Sequence, residues 1–199
     1  MKTIADLHIH SRFSMATSKE GTPENLDFWA RKKGISLIGT GDFTHPVWRE
    51  ELKERLVTEG NGLYHLRDEY VKEESRKFPG EGTHFVVSGE ISSIYKKNGK
   101  TRKVHNVILL PSLEAADAMA QRLEKIGNIH SDGRPILGLD SHDLLEMMLD
   151  VCPEGILIPA HIWTPHFSVL GAKSGFDSVE ECFEELTPYV HRSEERRVG

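Results

Sequence analysis

The residues best placed to do chemistry stand at the start of the chain: His8 and His10, two apart in Asp6-Leu7-His8-Ile9-His10. The lead-in Lys2-Thr3-Ile4-Ala5 is partly β-branched and free of Gly and Pro, which predicts a first strand. Alternation along a strand turns both imidazoles to one face and Leu7 and Ile9 to the other. Two imidazoles held side by side can bind a divalent metal without a loop having to order. A single histidine there would read as a hydrogen-bonded strand-edge residue; the pair reads as metal ligands. Asp6, one position earlier, is better suited to accept a hydrogen bond from an imidazole N–H than to bind the ion.

The elements that must position further ligands follow in order. Thr22-Pro23-Glu24 supplies an N-cap, a first-turn proline and a first-turn acid, predicting a helix to about Lys33 that Gly34 closes. Ile35 to Ile38 is a second strand running into Gly39-Thr40-Gly41-Asp42-Phe43-Thr44-His45-Pro46. Strand, helix, strand is the rhythm of parallel sheets and barrels, where function gathers on loops at the C-terminal strand ends. Pro46 to Val57 predicts an amphipathic helix, and the charged stretch from Tyr64 to Lys77 a partly helical one. Phe85 to Ile91 reads as a buried strand that delivers Glu90 after Gly89. Asn98-Gly99 marks a hairpin whose return strand presents His105. Helices are expected after Pro111-Ser112, after Asp140 and over Ser178 to Leu186, and Gly155 to His161 is a further strand ending in a histidine.

The strand-end candidates are therefore His8, His10, Asp42, Glu90 and His161, with His105 from the hairpin; Asp42, Glu90 and His161 are the candidates for the catalytic step. Imidazole and carboxylate without thiolate suit Zn, Mn or Fe, with Mg where carboxylate and water dominate. Six ligands exceed what one tetrahedral ion needs, which points to two or three divalent ions. Such clusters serve phosphate-ester hydrolysis. No Ser-His-Asp or Cys-His pattern competes with that chemistry.

Composition narrows the setting. A net charge of −6 over 199 residues argues against indiscriminate coating of nucleic acid, while leaving room for a local basic strip. Cys152 and Cys182, the two cysteines, lack CxxC spacing and suggest a reducing cytoplasm. No apolar run approaches the roughly 20 residues of a membrane span, and the start does not have the form of a signal peptide.

Taken together, D-L-H-I-H, Asp42, Ser88-Gly89-Glu90, the V-H-N-V-I-L of Val104 to Leu109 and Pro159-Ala160-His161 resemble the polymerase-and-histidinol-phosphatase (PHP) superfamily. Gly39 to Pro46, the run Ser131 to Asp140, Trp163-Thr164-Pro165 and Lys173 to Asp177 are similar to its endonuclease Q subgroup, whose homologues are sometimes labelled UvrD-helicase-associated. The resemblance covers nearly all of residues 1–191. It implies an α/β fold, a distorted (β/α)7 barrel with up to three metals. The implied activity is a DNA repair endonuclease that cleaves 5′ of deaminated bases (uracil, hypoxanthine, xanthine) or abasic sites. Damaged DNA, with DNA-repair or helicase proteins, would be its partners. Phe43 stands where many superfamily members have a ligand histidine, so Asp42 is expected to substitute, with His45 as the alternative.

The resemblance also implies a late Asp ligand soon after Tyr189-Val190-His191, then a cysteine-based zinc-binding region. Arg192 to Gly199 offers neither and resembles the in-frame translation of a sequencing-adapter end. The expectation is a C-terminally truncated barrel: residues 1–191 as an incomplete metallophosphoesterase domain, 192–199 as a non-native or disordered tail.

Lys96, Lys97, Lys100, Arg102 and Lys103 make the hairpin the most basic part of the chain and could track phosphates; a solvated hairpin tip is the plainer reading. Trp163 could stack on a displaced base, and Arg12 and Lys173 sit on loops facing the same end. Two rival functions remain open from sequence: a PHP-type phosphatase acting on a small phosphate monoester, and a catalytically silent PHP-like DNA-binding module.

Overall fold

The longest strand, β5 (His84–Lys97), is the spine of the molecule. In the computed structural model, which describes residues 3–79 and 82–194, β5 pairs along its first half with β2 (Leu37–Gly39) in parallel and with β4 (Tyr64–Leu66) in antiparallel register. Its second half pairs antiparallel with β6 (Lys100–Leu110), from Val87↔Leu110 to Lys97↔Lys100, and parallel with the short β7 (Ile136–Leu137). β1 (Ala5–Asp6) extends the sheet beyond β2, β3 (Leu56–Thr58) beyond β4, and β8 (Ile156–Pro159) beyond β6. The result is a mixed α/β fold with one curled eight-stranded sheet resembling half a barrel. Among the described residues β1 and β8 do not pair, so the closed (β/α)7 barrel expected from sequence is met only as far as this open, curled sheet.

Local sequence explains most elements. Helix α1 (Pro23–Lys33) starts at a proline and ends where Gly34 takes a left-handed φ of 71°. Asn98 and Gly99, both at positive φ, make the tight turn between β5 and β6. Ser112 caps α3 (Leu113–Glu124) by accepting from Ala115 N–H, and Asp140 caps α4 (Ser141–Val151) by accepting from His142 N–H. The core is built from Phe85, Val87, Ile91, Ile108, Trp48, Leu52, Met119, Leu123, Leu144 and Phe183, all essentially inaccessible; each such side chain contributes roughly 1.5–3 kcal/mol by leaving water.

Three expectations are corrected. The second helix, α2, stops at Arg55, and Val57 lies in β3, whose pairing with β4 claims Leu56 to Thr58. The stretch from 64 to 77 holds β4 and two 3₁₀ turns in place of a helix. The first strand is only Ala5–Asp6, so His8 and His10 leave the sheet beyond its last ladder pair, Asp6↔Ile38. After α5 (Val179–Phe183) a 3₁₀ segment runs to Tyr189. Residues 195–199 of the expected tail lie outside the described residues.

Candidate metal centre

Glu90 sits at the centre of the site. Gly89 makes room for it: a side chain there would meet the ring of Phe43, which packs over β5 and is fully buried. Ser88 welds the 39–43 loop to the same strand, its hydroxyl accepting from Gly41 N–H at 2.9 Å and its carbonyl from Phe43 N–H at 3.2 Å. The Ser-Gly-Glu triplet thus fixes a loop, admits a ring and delivers a carboxylate. Phe43 fills a core position, which accounts for an apolar residue where the family pattern has an imidazole.

Two trios of ligand atoms, each within 4.8 Å of one another, share that carboxylate: His8, His10 and Glu90, and Glu90, His105 and His161. Glu90 Oε1 lies 3.3 Å from His8 Nε2, 2.8 Å from His105 Nδ1 and 3.6 Å from His161 Nε2, and Oε2 lies 3.3 Å from His10 Nε2. Oε1 is buried, and none of these imidazoles meets it at a hydrogen-bonding angle. An orphaned carboxylate oxygen ringed by imidazole nitrogens fits a divalent cation, and a carboxylate shared by two trios fits a bridge between two.

The imidazoles are held from behind. His8 Nδ1 is 2.8 Å from Glu194 Oε2, His10 Nδ1 is 3.0 Å from Asp42 Oδ1, and His161 Nδ1 is 2.9 Å from Thr164 Oγ1. Fixing one ring nitrogen aims the other at the centre. His105 packs against the Phe167 ring, with centroids 4.7 Å apart. Asp42 (φ 50°) and His161 (φ 30°) both hold the left-handed conformation, a strain that the surrounding contacts must support.

Charge follows geometry. Burial opposes the ionised forms, yet contacts with Glu194 and Glu90 push His8 up to about 10, and those with Asp42 and Glu90 push His10 up to about 9. Burial likewise raises Glu90, but the imidazoles of His10, His105, His161 and His8 outweigh it and hold the carboxyl far below the usual range. His105 stays below the ordinary histidine value because burial exceeds its attraction to Glu90. A metal bound here would replace protons as the positive charge facing Glu90.

Of the sequence candidates, His8, His10, Glu90, His105 and His161 converge. Asp42 belongs to neither trio: it is fully buried, with Oδ2 accepting from Ser11 N–H at 2.7 Å and Ser11 Oγ at 2.6 Å, and Oδ1 serving His10. It takes the supporting place expected of Asp6, which is exposed at the end of β1 and has no imidazole contact. His45 stacks on Phe13 at 4.2 Å and stays out of the cluster, its Nδ1 buried without a partner. Glu194, in the expected tail, reaches His8 and the backbone N–H of His161.

On the hairpin side, Lys97 is tied to Asp140, Glu184 and the carbonyl of Cys182. Arg102 is tied to Glu181 and the carbonyl of Gly175, over the Phe176 ring. Arg12 pairs with Glu51 at 2.7 Å. Lys96, Lys100 and Lys173 are exposed, without ion-pair partners among the described residues; Lys100 and Lys173 line one polar depression with Thr101 and Ser174. Trp163 is 62% exposed on the loop after His161. Sequence reading missed Arg134, whose Nη1 lies 3.4 Å from Glu90 Oε2; its only sequence signal was its place in the run Ser131 to Asp140.

The curled half-barrel sheet, with the His/Glu cluster at its strand ends, is consistent with a polymerase-and-histidinol-phosphatase-like fold. Within it the structure stands close to endonuclease Q. The Pyrococcus furiosus enzyme, a lesion-specific endonuclease, superposes with a TM-score of 0.74 at 27% identity over 92% of this chain and 40% of its own. Endonuclease Q in complex with a 27-mer duplex bearing an abasic lesion at the active site gives 0.73 at 28% identity, over 91% and 40%. A Bifidobacterium adolescentis protein assigned as a metal-dependent phosphoesterase, 14% identical with a TM-score of 0.57 over 96% and 76%, shares the fold alone. An uncharacterised protein of Methanocaldococcus jannaschii is 34% identical over 175 residues, 87% of this chain and 18% of that protein. The chain thus spans under a fifth of that relative and two fifths of endonuclease Q. No family model matches it. No helix among the described residues is long and apolar enough to cross a membrane.

Proposed function

We propose that the chain is a metal-dependent phosphodiesterase that nicks DNA on the 5′ side of a deaminated base or an abasic site. The observation that carries this reading is the pair of ligand trios sharing Glu90, each with an imidazole braced from behind. The likeness to endonuclease Q, solved with an abasic duplex, supports DNA as the substrate.

His8, His10 and Glu90 would hold one divalent ion, and Glu90, His105 and His161 a second. Bound there, zinc, manganese or magnesium would supply Lewis acidity toward a phosphodiester. The protein's own residues do the positioning. Glu90 sets the spacing of the two trios from one rigid strand, and Asp42 and Thr164 fix His10 and His161 so that no rotamer search precedes binding. Lys96, Lys100 and Lys173 offer free cations to the strand's phosphates, and Trp163 an exposed ring to an unstacked base.

Purified chain exchanged into manganese, magnesium or zinc is incubated with duplexes carrying one uracil, hypoxanthine or abasic site. A single nick 5′ of the lesion, absent from the undamaged duplex, is expected. Metal-loaded protein that leaves every lesion uncut sinks the substrate assignment, and nicking that survives H8A and E90A sinks the site.

A further inference from the structure

Arg134 stands beside the His/Glu cluster with most of its hydrogen-bonding capacity unused. Its Nη1 makes one long contact, 3.4 Å, with Glu90 Oε2, the oxygen that also faces His10, and its side chain is 36% exposed. A guanidinium carries five N–H donors in a planar fork, and the others have no partner among the described residues. Arginines that serve packing in this protein are held differently. Arg31 Nε is 2.9 and 2.8 Å from the two oxygens of Asp27, and Arg12 is 2.7 Å from Glu51.

The backbone beneath Arg134, by contrast, is tightly fixed. Asp132 Oδ1 accepts from Arg134 N–H at 2.9 Å, Gly133 N–H donates to Phe13 O at 3.0 Å, and Gly133 O accepts from Thr44 Oγ1 at 3.1 Å. Pro135 O then accepts from Ser92 N–H on β5. A well-tied loop that presents a loosely held guanidinium beside the candidate ligand cluster is arranged for an incoming anion. Ions bound through Glu90 would also repel Arg134 from that carboxylate and free it.

Building on the phosphodiesterase reading, we infer that Arg134 is a catalytic residue that grips a non-bridging phosphate oxygen of the substrate on the His10 side of Glu90. Its fork matches phosphate in two-pronged geometry, which a lysine cannot reproduce.

The test uses manganese-loaded chain and inorganic phosphate, with binding followed by calorimetry and metal content by elemental analysis, for wild type, R134K and R134Q. Expected are phosphate binding by wild type, a loss on the order of tenfold or more in R134Q, a smaller loss in R134K, and unchanged metal in all three. Phosphate affinity unaltered in R134Q overturns the proposal. So does loss of metal in R134Q, which would make Arg134 a structural partner of Glu90, and so does a metal-loaded wild type that binds no phosphate. A wild type that takes up no metal instead overturns the underlying metal-site reading. Competition identifies the source of the phosphate: displacement by a duplex with a tetrahydrofuran abasic analogue places it in DNA, and displacement by phenyl phosphate alone places it in a monoester.

Discussion

The Asp42 carboxylate lies 3.0 Å from His10 Nδ1 and is itself pinned by the N–H and hydroxyl of Ser11, so its negative charge reaches the metal pocket only through the imidazole ring. A ligand and an orienting group respond differently to mutation. D42N keeps the shape but loses the anionic acceptor, so metal affinity should fall by about 10- to 100-fold while the number of ions bound at saturation stays that of the wild type. Titration with a fluorescent metal chelator as competitor measures both quantities. A lost ion at saturation would make Asp42 a ligand, as its place after the second strand first suggested.

Gly133 is the point where the Arg134 loop touches this support. A Cβ at that position would collide with the Asp42 carboxylate. G133A should therefore displace either the loop or the carboxylate, lowering stability by about 1–3 kcal/mol and weakening metal binding with it. Gly138, whose added Cβ would meet nothing, provides the control. Thermal unfolding of G133A and G138A, each with and without manganese, checks the pair; equal midpoints would show that the loop yields without cost.

The hairpin lysines should separate into two groups. Lys97 bridges Asp140 and Glu184 beneath the sheet, whereas Lys96, Lys100 and Lys173 face solvent. K97M should lower the unfolding temperature and leave the salt dependence of DNA binding unchanged. K96A, K100A and K173A should each leave stability alone and reduce the slope of log affinity against log salt by about 1. Fluorescence anisotropy with a lesion duplex over a salt series reads the slope. A slope unmoved by all three would remove this face from the DNA path.

What could be read in the sequence and what could not divides along the same physical line. Helix starts at Pro23, Ser112 and Asp140 and the turn at Asn98-Gly99 were legible because capping and turn chemistry are local. His8, His10, Glu90, His105 and His161 could be picked out because each lies on a strand or within a few residues of a strand's end. Asp42 rather than Asp6 backs an imidazole, since which carboxylate does so depends on where the strand ends and on a serine, Ser11, that fixes the acid. Lys97 and Arg102 looked like a basic patch in sequence, while their acidic partners come from α4, α5 and the residues next to them, 43 to 87 positions away. Arg134 was invisible for the opposite reason: only the folded loop, tied to Phe13, Thr44 and β5, brings it to Glu90.

The charge balance around Glu90 makes the chelated protein sensitive to pH at both ends. His8 and His10 are raised to about 10 and 9 from 6.5, so between those values the folded chain binds more protons than the unfolded one. Their contribution to stability is complete below about pH 6.5 and is lost as pH rises through 9 to 10. Glu90 is shifted the other way, so its contribution is complete above the ordinary value of 4.5 and is lost as pH falls through its depressed folded-state value. These are one set of contacts seen from two sides, and they stabilise the chain jointly, in full between about pH 4.5 and 6.5 and to a declining extent above that. Divalent metal inverts the alkaline limb, because ions compete with the same protons for the imidazoles and binding must release them. With chelator present, the unfolding temperature should therefore fall between pH 6.5 and 9.5. The stabilisation gained on adding manganese should grow over the same range, with net proton release measurable by calorimetry in buffers of different ionisation enthalpy. Metal uptake that released no protons at pH 7 would show that His8 and His10 are already neutral there, and that Glu90 is balanced by something other than their charge.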